Sequence, residues 1–243
     1  RLGNNSTNSL SSPEQVGSDT NWSSVDGYDM SNGGIKTDGT LWMWGYNNYG
    51  QLGNGTTSDV SSPVQTVSGG NDWQQLSASY SHTSAIKTDG TLWCWGEGSY
   101  GGLGNDSTAH QSSPVQTITG GNDWKQVSTG FCLTAAVKTD GTLWTWGINY
   151  NGQLGINDTY HVSSPVQTIC GGTNWHQVFC GDGFIGAIKT DGTLWMWGEN
   201  YAGVLGDNTT DIKSSPVQTY IGGNTWAKDR KSTRLNSSHG YIS

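Results

Sequence analysis

Apolar and polar positions trade places in short runs along this chain, and glycine, proline or Asp-Gly breaks every run. Residues 114–155 show the pattern well. Pro114-Val115-Gln116-Thr117-Ile118 alternates and is closed by a Gly-Gly turn, which predicts a short strand. A second strand is predicted at Trp124–Ser128, with Trp124 and Val127 near the core, although a spacing of three fits a strand imperfectly. Leu133–Thr139 predicts a third, with Ala136 small enough for close sheet packing. Thr139-Asp140-Gly141-Thr142 then reads as a tight two-residue hairpin, because Asp-Gly accepts positive φ. The fourth strand, Thr142–Trp146, puts Trp144 and Trp146 on one face and Leu143 and Thr145 on the other. A glycine-rich loop, Gly147–Gly152, leads to Leu154, which is expected to plug the core.

The same block recurs. Lys-Thr-Asp-Gly-Thr-Leu-Trp begins at Lys36, Lys87, Lys138 and Lys189, in steps of 51 residues. Single tryptophans at Trp22, Trp73, Trp124, Trp175 and Trp226 keep the same step, as do the Trp-x-Trp-Gly pairs from Trp42, Trp93, Trp144 and Trp195. Together these account for all 13 tryptophans, so each indole has a periodic structural task. Four short antiparallel strands cannot bury both faces of a sheet alone. Repeating the sheet around an axis buries each copy against its neighbours, which is the propeller solution. The Gly-His and Trp-Asp signals of WD40 repeats are absent from the pattern.

Composition agrees with an all-β, turn-rich chain: 37 of 243 residues are Gly, and only 12% are charged. No apolar run is long enough to form a membrane-spanning helix, so no membrane insertion is expected. The final 15 residues, 229–243, break the repeat and resemble a translated sequencing adapter. They are read as a disordered, non-native tail after a repeat region spanning 1–228, with copies starting near 22, 73, 124 and 175 and partial copies at both ends. The formal net charge is −8; that tail holds three basic residues and one acid, so the remainder stands at −10. Such a surface is a poor match to a polyanion, and no nucleic acid is expected as a partner.

The residues Trp124 to Gly155, WKQVSTGFCLTAAVKTDGTLWTWGINYNGQLG, and their counterparts Trp73 to Gly104 resemble the repeats of the regulator of chromosome condensation (RCC1) family. The resemblance implies an all-β propeller of four-stranded antiparallel blades, about seven in a full ring. This chain would supply about four and a half of them. Only the second copy keeps the family's His-Thr pair, as His82-Thr83. The resemblance also implies a choice of function: a scaffold for protein partners, or guanine-nucleotide exchange on a small GTPase.

Candidate chemistry is sparse. Asp38, Asp89, Asp140 and Asp191 share one hairpin position, where Asp serves local backbone bonding, and are not read as catalytic. The cysteines (Cys94, Cys132, Cys170, Cys180) lack zinc spacing and are read as small core or semi-exposed residues, with a Cys170–Cys180 bridge as a minor alternative. His110 and His161 read as variable surface rather than a metal pair. Neither a calcium ladder nor a phosphate-binding glycine motif is present, so no metal or cofactor is expected.

What varies between copies is the loops after each Trp-Gly. Varied loops on a rigid repeat are a common way to build a binding surface. Tyr49, Tyr100, Asn149, Tyr150, Tyr160 and Tyr201 are the expected contact residues for a protein partner, and no enzymatic role is expected. A carbohydrate-binding or cell-surface adhesion module is the further alternative. The Asn, Ser, Thr and Gly content leans toward a secreted or surface protein of a microbe.

Overall fold

The computed structural model describes residues 2–220 apart from Gly69 and Gly120. The expected tail and Trp226 lie outside the described residues. Among the described residues sixteen strands form four sheets of four. The first holds β1 (Trp22–Tyr28), β2 (Ser31–Lys36), β3 (Leu41–Gly45) and β4 (Val60–Gln65). The second holds β5 (Trp73–Ala78), β6 (His82–Lys87), β7 (Leu92–Gly96) and β8 (Gln111–Gln116). The third holds β9 (Trp124–Gly130), β10 (Leu133–Lys138), β11 (Leu143–Gly147) and β12 (Val162–Gln167). The fourth holds β13 (Trp175–Cys180), β14 (Phe184–Lys189), β15 (Leu194–Gly198) and β16 (Lys213–Gln218). Each sheet is an antiparallel meander, and the first strands of successive sheets pack on one another. These are propeller blades.

The alternation in Leu143–Trp146 explains why the blades stack. Trp146 belongs to the core shared with the second blade, beside Ile86, Leu92, Leu103, Trp124 and Val127. Leu143 faces the other way, into the core shared with the fourth blade, beside Leu154, Trp175, Val178 and Trp197. Both faces of the sheet are therefore dry. Leu154 is fully buried, as its position at the loop end predicts. Indoles fill these seams: Trp95, Trp146 and Trp197 have no exposed surface, and each donates its N–H to a carbonyl of the preceding blade (Gln51, Gly102 and Gln153, at 2.8–3.0 Å). Gly104 makes room, since a Cβ there would stand 2.7 Å from the Trp146 Nε1.

Two local expectations need correction, and the irregular spacing of a third element is explained. The strand through Pro114 runs from Gln111 to Gln116 and is the outer edge of the second blade, so it belongs with the strands before it. Pro114 sits inside this strand, in the irregular stretch between the pairs Cys94–Val115 and Gly96–Gln111, where no ladder bond requires its missing N–H. The spacing of Trp124 and Val127 is resolved by a register shift opposite Val137–Lys138, which returns both to one face. The Asp-Gly hairpin is a longer turn than expected. Lys138 N–H bonds to Thr142 O, and only Gly141 takes a positive φ, +81°.

Candidate functional site

The blade edges at the two ends of the propeller differ in kind. One end carries the Thr-Asp-Gly turns, and its polar groups are committed to structure. The Asp140 Oδ1 accepts from the Thr142 N–H at 2.9 Å and the Thr142 hydroxyl at 2.7 Å, and these bonds hold the carboxyl below its ordinary pKa. The Thr142 hydroxyl oxygen in turn accepts from the Trp144 indole. The Gly141 carbonyl accepts from the N–H of Trp175, stapling the third blade to the fourth. Lys138 lies between two indoles, with Nζ 4.8 Å from the Trp124 ring and 5.1 Å from Trp144, and pairs with Asp123 at 3.2 Å. The other three copies repeat the Lys-indole sandwich.

The opposite end carries the β3–β4 loops and the turns between first and second strands, which differ between copies. The loops are nonetheless firmly held. Asn149 is fully buried: its amide donates to the carbonyls of Asp158 and Tyr160, and its Oδ1 accepts from Leu154 N–H at 2.8 Å. Asn47 and Asn200 do the same in their blades. Asn149 is therefore a loop staple and not a surface contact, which corrects the expectation for that residue. A second staple explains the histidines. His110 Nδ1 accepts from Gly98 N–H and His161 Nδ1 from Asn149 N–H, while Asp59 fills the same role for Asn47. The position is variable: in the first three copies its side chain caps the loop, and Ile212 in the fourth has no acceptor to do so. Among the described residues no group of three His, Cys, Asp or Glu is arranged to hold a metal.

The other expected contact residues lie at this end. Tyr150, Tyr160 and Tyr201 are 59%, 78% and 73% exposed. Tyr100 and Tyr150 meet edge to face at 5.8 Å, and both touch His161. Tyr49 belongs to a separate group. It packs on His110 at 5.3 Å and on Tyr46 at 6.4 Å; Tyr46 continues to Tyr80 at 6.1 Å, and Tyr80 to Phe131 at 6.3 Å. Sequence reading passed over Tyr46, Tyr80 and Phe131. The signal was present: the position between first and second strands reads Asp29, Tyr80, Phe131 and Asp182 across the copies. Asp182 is engaged there, accepting from the hydroxyl of Tyr28 at 2.7 Å.

His82 and three of the four thiols lie in the seams, while Cys170 is exposed. His82 is fully buried, and desolvation pushes its pKa down to about 4. Burial pushes the thiols of Cys94, Cys132 and Cys180 up to about 12, which leaves them protonated and poor nucleophiles. All four cysteines are free thiols, so Cys170 and Cys180 are not bridged. No helix among the described residues is long and apolar enough to cross a membrane.

Four meander blades, sealed by indoles and carrying varied loops at one end, define a repeat-built β-propeller. The sequence profile of the regulator of chromosome condensation (RCC1) repeat matches residues 38–86, 89–137 and 140–188, and the chain belongs to that family. Each matched repeat takes two strands from one blade and two from the next. Over 197 residues the chain is 32% identical to the ultraviolet-B receptor UVR8 of Arabidopsis thaliana, covering 76% of this chain and 42% of that protein. It is 28% identical to the mitochondrial RCC1 domain-containing protein RUG3 of the same plant, covering 78% and 45%. The chain thus spans less than half of these relatives. Among solved structures, human WBSCR16 superposes with a TM-score of 0.74 at 22% identity, covering 84% of this chain and 54% of the other. Yeast RCC1 (Prp20) bound to Kap60 superposes at 0.73 and 17% identity, covering 83% and 49%. These likenesses establish the shared fold.

Proposed function

We propose that this propeller is a non-enzymatic scaffold that binds a protein partner through its loop end. The observation that carries the reading is the division of labour between the two ends. Side chains that recur in every copy are consumed by turns and seams, whereas those that differ cluster on one face and include the exposed Tyr150, Tyr160 and Tyr201. Exposed tyrosine provides a large contact surface at low cost in side-chain freedom. Yeast RCC1 (Prp20), which shares this fold, has been solved with Kap60 bound, and this supports a protein as the class of partner. Buried, neutral His82 and protonated thiols support a role without catalysis.

The test is affinity capture from the source organism with the full chain, alongside a Tyr150→Ser/Tyr160→Ser/Tyr201→Ser variant. Loss of one specific protein, with an unchanged thermal midpoint, is the expected result. Retention of every captured protein by the variant overturns the reading. Nucleotide exchange on a small GTPase is the alternative from the same family, and acceleration of GDP release by the chain would replace the scaffold reading with that activity.

A further inference from the structure

The loop end carries a feature that a generic contact face does not need. The rings His110, Tyr49, Tyr46, Tyr80 and Phe131 form a continuous strip, each within 5.3–6.4 Å of the next. It runs from the loop just before β8 of the second blade, across the first-to-second blade seam, to the turn between β9 and β10 of the third. Phe131 stays 39% exposed, and Tyr46, Tyr49 and Tyr80 are half-buried.

A carboxylate stands beside the strip. The Glu97 N–H donates to the carbonyl of Ser81, the residue after Tyr80, at 2.9 Å, which fixes the Glu97 backbone one residue from the strip. The Ser81 hydroxyl lies 3.6 Å from the thiol of Cys132, the residue after Phe131, which closes the other side. Glu97 is also the main cause of the raised phenol pKa of Tyr49, consistent with a negative charge facing that ring.

Charge is divided between the two ends in a way that suits this arrangement. The lysines Lys36, Lys87, Lys138 and Lys189 all sit at the turn end, each over its indoles. At the loop end Lys213 is the only Lys or Arg among the described residues, on the fourth blade, where it pairs with Asp207 at 3.2 Å. Among the described residues no Lys or Arg pairs with Glu97, which stays partly exposed. Aromatic faces next to a carboxylate attract ammonium and, above all, guanidinium groups.

We propose that the strip from Tyr49 to Phe131, together with Glu97, binds an arginine-rich segment of a partner protein in extended form, with one guanidinium against Glu97 between Tyr49 and Tyr80. This rests on the scaffold reading and adds the chemistry of the partner to it. A neutral saccharide would gain hydrogen bonds but no charge attraction from the carboxylate, and an acidic peptide would be repelled by it.

The test is titration of the full chain with a fluorescent twelve-residue peptide of alternating Gly and Arg, beside matched Gly-Lys, Gly-Glu and Gly-Ser peptides and a cello-oligosaccharide. Expected is binding of the Gly-Arg peptide, weaker binding of Gly-Lys and none of the others. Glu97→Gln and Tyr80→Leu are each expected to weaken it about tenfold. Asp211→Asn, which removes one charge at the same end away from the strip, leaves it within about twofold. Near-ultraviolet circular dichroism confirms that each variant is folded, and the isosteric Glu97→Gln stands if Tyr80→Leu is not. Equal weakening by Asp211→Asn and Glu97→Gln would mean diffuse charge attraction and would overturn the site. Binding of Gly-Ser or Gly-Glu instead would overturn the cationic partner while leaving the scaffold reading intact. Binding of nothing would overturn the arginine site and leave the scaffold reading to the capture experiment, whereas binding of the saccharide alone would count against both.

Discussion

The indole N–H of Trp146 donates to the carbonyl oxygen of Gly102 at 3.0 Å, across the seam between the second and third blades. Neither residue has any exposed indole or loop surface to trade this bond for water. Trp146→Phe keeps much of the packing and strands the Gly102 carbonyl, at a cost of about 1–3 kcal/mol. Trp146→Ala also opens a cavity and costs about 3–5 kcal/mol. Urea unfolding of the two variants should rank them in that order; equal costs would show that packing alone matters at this seam.

His82 reaches the next blade, with Nε2 2.8 Å from the Thr134 hydroxyl, and burial lowers its pKa from 6.5 to about 4. An unfolded chain takes up a proton on this imidazole as pH falls through 6.5, while the folded chain resists until about 4. Within that window the unfolded state binds more protons, so stability falls with pH, by on the order of 3 kcal/mol in total. The contribution is fully present above 6.5 and gone below about 4. Urea midpoints at a series of pH values should show this slope in the parent, and a shallower one in His82→Gln between 6.5 and 5.

Lys189 and Lys138 separate two kinds of attraction. Lys189 Nζ lies 4.7 Å from the Trp175 ring and 4.2 Å from Trp195, at a position where Asn174 stands in place of the Asp72 and Asp123 of the second and third copies. Lys138 has comparable rings and Asp123 besides, 39% exposed. Methionine keeps the stem and removes the charge. Lys189→Met should cost about 1 kcal/mol at any salt concentration. Lys138→Met should cost up to about 1 kcal/mol more at low salt, an excess that disappears in 1 M NaCl. Matching salt profiles for the two would refute the distinction.

Asn149 and Tyr150 are neighbours with opposite consequences. Asn149→Ala removes the bonds to the Asp158 and Tyr160 carbonyls and to Leu154 N–H, and should cost about 2–4 kcal/mol and loosen loop 148–161. Tyr150→Ser, at a side chain 59% exposed, should stay within about 0.5 kcal/mol of the parent. Hydrogen exchange of the Leu154 amide is the direct check, protected in Tyr150→Ser and open in Asn149→Ala.

The difference between those two residues shows what could be read from the chain beforehand. Periodicity identified the blade because identical chemistry at a step of 51 residues has to serve identical packing, and Trp146 and Leu143 fall on the faces that alternation assigns them. Asn149 looked like a surface residue because a polar side chain in a glycine-rich loop usually is one; its role depends on carbonyls nine and eleven residues away. Pro114 looked like a strand start because its edge position and the irregular pairing beside it belong to the tertiary arrangement. The aromatic strip was hidden for a related reason. Tyr80 and Phe131 share one repeat position on neighbouring blades, whereas Tyr46 and Tyr49 belong to a different loop of the first blade, and only the packing of the blades brings the two sets together.

The offset between the family repeat and the blade has a consequence for how such chains grow. Because residues 38–86 carry the second half of one blade and the first half of the next, the hereditary unit and the structural unit are out of phase. An unequal crossover that duplicates any 51-residue window, wherever it is cut, still inserts one complete blade and leaves every seam with its proper pair of surfaces. Length in this lineage is thus free to change in whole steps without a matching breakpoint in the gene.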